Sequence, residues 1–166
     1  TTEIYTLSLH DALPILTLHN LTRWAVVVFG VLAIVRGFSG WLGKKPWKKL
    51  DNQTGLWYNN LFDIQLLLGI VLFFSRGWQS ALLNFGAVAG TSSVRFFAME
   101  HWLLMLIGLI LAHVGRVQSK KAHSDVAKHK RAALWFLASF VLLLVAIPWP
   151  FMAGYGRPLL RFFGLF

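Results

Sequence analysis

Four long apolar stretches, separated by more polar connections, dominate the pattern of hydrophobic and polar positions along this chain. They run over residues 21–42, 57–74, 96–117 and 132–152. Each has close to the ~20 residues that a helix needs to cross the hydrocarbon layer of a bilayer. Their pattern is not the two-residue alternation of a membrane β-barrel strand. The sequence therefore predicts an all-α fold, an integral membrane four-helix bundle, built by residues 16–166 as one domain.

The composition strengthens the prediction that the chain lies in a lipid bilayer. Of the 166 residues, 57% are hydrophobic and 13% are charged, about half the charged share of a typical soluble domain. A chain of this size has too much surface to hide that apolar content in a soluble core, so we expect the lipid bilayer to be its solvent. The sequence has no cysteine, which excludes thiolate metal sites and iron–sulfur clusters. It also lacks the motifs of phosphate-binding loops and of nucleophile–base catalysis, so a hydrolytic or nucleotide-dependent enzyme is disfavoured.

Basic residues are concentrated in the first and third connections, which predicts the topology. These eleven residues are Arg36, Lys44, Lys45, Lys48, Lys49, Arg116, Lys120, Lys121, Lys128, Lys130 and Arg131. The positive-inside rule places both connections in the cytoplasm and both termini outside. We attribute the net charge of +10 to this topology and expect no nucleic-acid partner. The second connection, residues 77–93, is apolar enough to lie in the membrane interface as a short helix.

The first fifteen residues stand apart from this pattern. They read TTEIYTLSLHDALPI and resemble the translated reading frame of a DNA-sequencing adapter. We therefore interpret residues 1–15 as a non-native segment and assign no function to its His10.

Two histidines in the third apolar stretch are the strongest candidates for cofactor ligands. His101 and His113 lie twelve residues apart, about 18 Å along a helix axis, which places them in opposite leaflets. Ionisable side chains at membrane depth usually face a partner inside the bundle, and a neutral imidazole is a ligand for haem iron. Twelve helical steps turn the two side chains about 120° apart, so they need not face the same neighbouring helix.

Two further histidines supply candidate second axial ligands. His19 lies on the outer side with His101, and His129 lies on the cytoplasmic side with His113, so these two pairs predict one or two haems. The alternative is structural, with interfacial polar residues at 19 and 129 and hydrogen-bonded buried imidazoles at 101 and 113. The basic candidates for pairing with haem propionates are Arg23, Arg95 and Arg116.

Asp63 and Gln65 place polar groups inside the second apolar stretch. An intramembrane carboxylate is a candidate functional residue. Asp63 could orient a ligating histidine through a hydrogen bond, or relay protons toward a quinone with Gln65 as hydrogen-bond donor. The structural alternative is a carboxylate that is capped by backbone groups or paired with Arg116.

Small residues spaced four apart predict close helix packing. Ala33 and Gly37 form such a step in the first stretch, and Gly108 and Ala112 form one in the third. Small side chains let helix backbones approach in lipid, and they also make room for a flat macrocycle.

Several stretches resemble a family of short bacterial four-helix membrane proteins described as cytochrome b. They are LHNLTRW around His19, FDIQLLLG around Asp63, RFFAMEHWLLMLIGLILAHVGR, AKHKRAALW around His129, and AIPWPF. The resemblance covers most of residues 18–166 and implies b-type haem bound by the histidines at 19, 101, 113 and 129. Larger respiratory cytochrome b subunits carry paired histidines on each of two helices, whereas this chain has an intramembrane pair on one helix only.

Together these observations predict a multi-pass protein of the bacterial inner membrane that carries electrons through one or two haems b. We expect it to exchange electrons with a membrane redox partner, a larger complex or quinone, rather than to act as a stand-alone enzyme. A non-redox accessory or scaffold subunit of a larger membrane complex is the first alternative. A proton-coupled transporter that uses Asp63 and the histidines is the second.

Overall fold

The computed structural model describes the backbone of residues 9–160, and the side chains of residues 14–160 apart from positions 87 and 88. This part of the chain consists of helices and turns and contains no β-strand, which confirms the predicted all-α fold. The α-helices in chain order are α1 (Leu9–Leu42), α2 (Lys49–Ser75), α3 (Trp78–Leu83), α4 (Phe85–Val88), α5 (Ser92–Arg95), α6 (His101–Lys120) and α7 (Asp125–Ala146). A π-helical turn, Phe96–Glu100, joins α5 to α6 without a break.

Four helical segments are long and apolar enough to cross a membrane. They are Pro14–Leu42, Lys49–Ser75, Ser92–Lys120 and Asp125–Ala146. By helix length and composition the chain is a multi-pass membrane protein, and its apolar surface is compatible with a lipid bilayer.

The helices are longer than the apolar stretches that revealed them. Helix α2 begins at Lys49 instead of residue 57, and α7 begins at Asp125 instead of residue 132. Hydropathy marks only the part of a helix that suits hydrocarbon, whereas the hydrogen-bonded helix continues to its cap. The Asp51 carboxylate accepts from the Lys48 backbone N–H at the start of α2, and the Ser124 hydroxyl accepts from the Ala127 N–H at the start of α7.

Two other boundaries differ from the sequence prediction. Helix α7 ends at Ala146 instead of residue 152, because Pro148 and Pro150 cannot donate the backbone hydrogen bonds that would continue it. Helix α1 begins at Leu9, inside the segment interpreted as non-native, and the first eight residues of that segment lie outside the described residues. The second connection forms three short helices instead of one.

The predicted small-residue contacts are present, and they bring α1 and α6 close to α7. Ala33 and Ala112 are buried. A Cβ atom added to Gly37 would lie 2.9 Å from the Ala133 backbone, and one added to Gly108 would lie 3.4 Å from the Ser139 carbonyl oxygen. These residues therefore serve close helix packing.

A buried hydroxyl chain joins three of the four long helices. The Ser139 hydroxyl on α7 donates to the Gly108 carbonyl oxygen on α6 at 2.7 Å, and it lies 2.8 Å from the Tyr58 hydroxyl on α2. Since Ser139 donates to Gly108, the Tyr58 hydroxyl donates to Ser139. These two hydrogen bonds fix how α2, α6 and α7 are rotated relative to one another at the position of Ser139.

The two basic connections lie at the same end of the bundle, as an up-and-down arrangement requires. The Lys130 ammonium lies 5.3 Å from the Trp41 ring centroid, and the Trp47 and His129 ring centroids are 4.7 Å apart. The opposite end is formed by α3 to α5 and by the segment that follows α7, which returns to α1 through a hydrogen bond from Trp24 to the Leu159 carbonyl oxygen.

Candidate functional site

A cavity of about 810 Å³ lies at the end of the bundle opposite the lysine-rich connections. Helices α1, α2 and α6 form its walls, together with α3 and residues that follow α7. Its lining is mainly aliphatic and aromatic, with Phe73, Phe97 and Trp102 among the larger side chains. An apolar cavity of this size with a few polar groups is typical of sites that enclose a cofactor-sized organic molecule.

His19 and His101 both line this cavity, and they come from different helices. Their ring centroids are 6.3 Å apart, with an angle of 67° between the ring planes. Two imidazoles bound to opposite sides of one metal ion, each through a metal–nitrogen bond of about 2.0 Å, have ring centroids roughly 6 Å apart. His19 and His101 were predicted to form a pair because both lie on the outer side of the membrane. The structure brings them together at a separation that suits a shared metal ion.

A backbone carbonyl at the end of α7 orients the His101 ring. The Nδ1 atom of His101 lies 2.8 Å from the Ala146 carbonyl oxygen, to which it donates in the corresponding tautomer. This carbonyl is free because α7 stops at Ala146, and the last carbonyls of a helix have no partner within it. The bond leaves Nε2 of His101 with its lone pair available, which is the usual arrangement of a metal-binding histidine.

His19 is positioned through its backbone and has an unused ring nitrogen. The Gln65 side chain on α2 donates to the His19 carbonyl oxygen at 3.0 Å. The Nδ1 atom of His19 and the Oε1 atom of Gln65 are buried without a hydrogen-bond partner. Buried polar atoms are nearly always paired, so two unpaired ones beside one cavity indicate a ligand-binding site.

Gly69 leaves space next to the His19 ring. It lines the cavity from α2, and a Cβ atom added there would lie 3.5 Å from Cε1 of His19, which is the described atom within 4 Å of it outside the local backbone of its own helix. A larger side chain at this position would project along the wall that His19 faces. Sequence reasoning did not single out Gly69, since one glycine in an apolar helix carries no distinctive signal.

His113 has a different partner from His101. This agrees with the prediction that the two side chains need not face the same neighbouring helix. Its Nε2 atom lies 2.8 Å from the Asp63 carboxylate on α2. The side chains are 49% and 44% exposed, respectively, so the pair lies on the surface of the bundle. The proposed contact between Asp63 and a histidine is therefore present, but it is outside the cavity.

His129 is buried among α1, α2 and the first connection. Its side chain is 2% exposed, its ring packs against Trp47, and Gly40 on α1 provides the space that the ring occupies. Its Nε2 atom is 4.0 Å from Asp51, too long for a hydrogen bond, and both ring nitrogens lack a hydrogen-bond partner. The structure gives His113 and His129 different neighbours, one on the surface and one in the interior, so it does not form the second predicted pair.

Of the three predicted propionate partners, only Arg23 lines the cavity. Arg95 is paired with Glu100 at 2.7 Å, and Arg116 donates to the Asn52 carbonyl oxygen at 3.2 Å, beside the start of α2. Two arginines that the sequence analysis did not select, Arg76 and Arg157, line the cavity instead. Their positions after α2 and after α7 place them at the same end of the bundle, but hydropathy does not reveal which of the outer arginines meet.

The residues around the cavity fit a haem with two histidine ligands. The requirements are two imidazoles close enough to share one iron atom, an apolar wall and a basic group for the propionates, and the lining residues include all three. Within the described part of the chain no three His, Asp or Glu side chains are grouped as a multi-ligand metal site would need. Haem iron needs only two protein ligands, so this finding concerns other kinds of metal site.

Comparisons with protein-family models, with curated proteins and with solved structures find no match to this chain. The resemblance to cytochrome b therefore stays a prediction.

Proposed function

We propose that this chain is a membrane b-type cytochrome that holds one haem between His19 and His101. The observation that carries the proposal is the pair of imidazoles that face one cavity of about 810 Å³ with ring centroids 6.3 Å apart. Imidazole groups at membrane depth are costly unless they have a partner, and a shared iron atom satisfies both.

The surrounding residues support this assignment. The Ala146 carbonyl fixes the His101 tautomer, and Gln65 holds the backbone of His19 against α2. Aromatic side chains on α2 and α6 line the cavity wall, and they would lower the local polarity around a bound cofactor.

When bound, a haem iron supplies one-electron redox chemistry, by cycling between the ferric and ferrous states. The chain would contribute the two ligating imidazoles, their orientation and an apolar environment. His19 and His101 would hold the haem through ring nitrogens, and the Ala146 carbonyl would keep the His101 proton on Nδ1. The proposed role is therefore electron transfer, with no bond making or breaking by protein side chains.

The proposal is for one haem in one leaflet. His113 and His129 have separate neighbours at the other end of the bundle, so the second predicted pair lends no support to a second haem. With the lysine-rich connections in the cytoplasm, the cavity lies in the outer leaflet of a bacterial inner membrane. Electron exchange with a membrane partner or a quinone would then take place on that side.

The proposal is tested by spectroscopy on four single variants. The full chain is expressed with added haem precursor and purified in mild detergent, and haem is quantified as the pyridine haemochrome. We expect one haem per chain, a reduced-minus-oxidised spectrum typical of b-type haem, and loss of that haem in His19→Ala and His101→Ala.

The matched controls are His113→Ala and His129→Ala, in which we expect the haem spectrum to be retained. A protein that folds but takes up no haem contradicts the proposal. Retention of haem in both His19→Ala and His101→Ala, with loss in either control, would place the haem elsewhere and equally overturn it.

One observation favours the alternative role of an accessory subunit. The Asp63–His113 pair lies on the bundle surface within two membrane-spanning helices, where exposure of ionisable groups to hydrocarbon is unfavourable. A helix of another membrane protein would cover this pair. This alternative predicts a folded protein without haem that leaves the membrane in a stable complex, so the same purification separates the two functions.

A further inference from the structure

We propose that Phe96 and Tyr155 are positioning residues that set the angle of the His101 ring. The inference rests on the proposed function, because it concerns how a haem ligand is held. His101 lines the cavity, whereas Phe96 and Tyr155 are not among the lining residues. They would therefore act on a bound cofactor through the His101 ring and not by direct contact.

A π-helical turn immediately before His101 brings Phe96 against it. The turn spans Phe96–Glu100, and the backbone N–H of His101 donates to the Phe96 carbonyl oxygen. Such a turn contains one residue more than an α-helical turn, and these turns are uncommon in proteins but concentrate at functional sites. In an α-helix, side chains five residues apart point about 140° apart. The wider turn places them more nearly on the same face, so the Phe96 and His101 side chains can meet.

The Phe96 ring lies next to the rings of both His101 and Tyr155. Its centroid is 5.6 Å from that of the His101 ring, with an angle of 42° between the ring planes. It is 4.2 Å from the centroid of the Tyr155 ring, with an angle of 17°, so these two rings are stacked. Phe96 is also buried, with 3% of its surface exposed. A closely packed ring has little freedom to turn, so Phe96 links the position of Tyr155 to that of His101.

Tyr155 is held by the segment that follows α7, which folds into a compact turn. The Gly156 N–H donates to the Met152 carbonyl oxygen at 2.9 Å. Gly154 has a φ of +82°, a left-handed conformation that glycine adopts without strain. The Tyr155 hydroxyl donates to the Met152 sulfur at 3.6 Å, within the same turn. The ring of Tyr155, and not its hydroxyl, is therefore the group that contacts Phe96.

The His101 ring needs this second contact because one hydrogen bond does not fix its plane. The bond from Nδ1 to the Ala146 carbonyl oxygen fixes the position of one ring atom, but the geometry accepted by a carbonyl oxygen is broad. The Phe96 ring restricts the rotation that this bond allows, and the His101 and His19 ring planes lie at 67° to each other. Groups that orient a metal ligand also tune the metal, so the stack would affect the spectrum and the reduction potential of a bound haem.

The test follows the electron paramagnetic resonance spectrum of the full chain, purified with haem and oxidised to the ferric state. In low-spin ferric haem with two histidine ligands, crossed ring planes give a largest g value at lower magnetic field than parallel planes do. Phe96→Leu and Tyr155→Leu remove the stack, and a His101 ring freed from it also samples smaller angles to the His19 ring. We therefore expect the low-field signal to broaden and to move to higher field in both variants.

Two further variants test whether the effect belongs to the stack. Tyr155→Phe keeps the ring and should retain the wild-type signal. Phe151→Leu is the matched control, because it removes an aromatic ring of the same segment that stacks on Trp149 instead of Phe96, and it should also retain the signal. Tyr155 is only half-buried, so Tyr155→Leu should fold even if the loss of the buried Phe96 ring prevents folding.

The outcomes separate this inference from the proposed function. A wild-type signal in haem-loaded Tyr155→Leu would overturn the positioning role and leave the haem assignment standing, because the stack would then serve packing alone. An equal shift in Tyr155→Phe or in Phe151→Leu would also overturn it. Loss of haem from folded Tyr155→Leu, with haem retained in Tyr155→Phe, would support it, since His101 would then fail to hold the iron. A wild-type chain that folds without haem contradicts the proposed function itself.

Discussion

Replacing Gly69 should uncouple the stability of the bundle from its capacity to bind a cofactor. Gly69 lies inside α2 and lines the cavity, and its missing Cβ would lie 3.5 Å from Cε1 of His19. This is an ordinary contact distance, so Gly69→Ala introduces no clash. Alanine is favoured over glycine in a helix interior, and we expect the variant to gain about 1 kcal/mol in the free energy of unfolding.

A larger side chain at this position should have opposite effects on stability and on binding. Gly69→Leu gains a similar helix propensity and also fills part of the cavity, so the ligand-free protein should be stabilised by about 1–2 kcal/mol. The added carbons project beside the His19 ring, where a ligand held by that ring must lie. An overpacked contact costs about 1–3 kcal/mol, which corresponds to a fall in haem affinity of roughly 5- to 150-fold.

The assay combines thermal unfolding of the ligand-free protein with a haem titration of each variant in the same detergent. Gly86→Leu provides the control, because a Cβ there meets no described atom within 4 Å and Gly86 does not line the cavity. Gly69→Ala should bind haem like the wild type. If Gly69→Leu binds haem as tightly as Gly86→Leu does, the reasoning that places the ligand beside His19 is wrong.

Three further predictions concern the folded bundle. Ser139→Ala leaves the buried Tyr58 hydroxyl without a partner and should lower the free energy of unfolding by about 1–3 kcal/mol, whereas Tyr58→Phe should lower it by less than about 1 kcal/mol. Equal losses, measured by unfolding in mixed micelles, would contradict this order. Gly40→Ala places a Cβ atom inside the space of the His129 ring and should lower the free energy of unfolding by about 1–3 kcal/mol. Adding His129→Ala removes the ring, so the double variant should regain part of this loss. Trp149→Phe removes the N–H that caps a free carbonyl at the end of α7, and thermal unfolding should show a loss of about 0.5–1.5 kcal/mol; an unchanged midpoint would show that this carbonyl is satisfied in another way.

The candidate site was predictable only in part from the sequence. Sorting the histidines by the side of the membrane was sufficient to pair His19 with His101, and the structure brings those rings together. The same reasoning paired His113 with His129, but the side of the membrane does not specify which face of a helix carries the residue. Helix packing turns His113 toward Asp63 on the surface and buries His129 against α1.

The arginines show even more clearly that the sequence does not specify which side chains meet. Charge and position selected Arg95 and Arg116 as ligand partners, yet one is paired with Glu100 and the other bonds to the start of α2. Arg157 reaches the cavity because the segment after α7 folds back across the end of the bundle, and no periodic signal in the sequence describes that return.

The sequence by itself determined the four apolar helices and the concentration of basic residues at one end of the bundle. These properties follow from local composition and from the fixed rise of a helix, which requires no knowledge of neighbours. Only the tertiary structure decided which side chains share the cavity, because that depends on how each helix is rotated. Rotation is set by contacts between distant segments, such as the small residues where α1 and α6 meet α7 and the hydroxyl chain of Ser139.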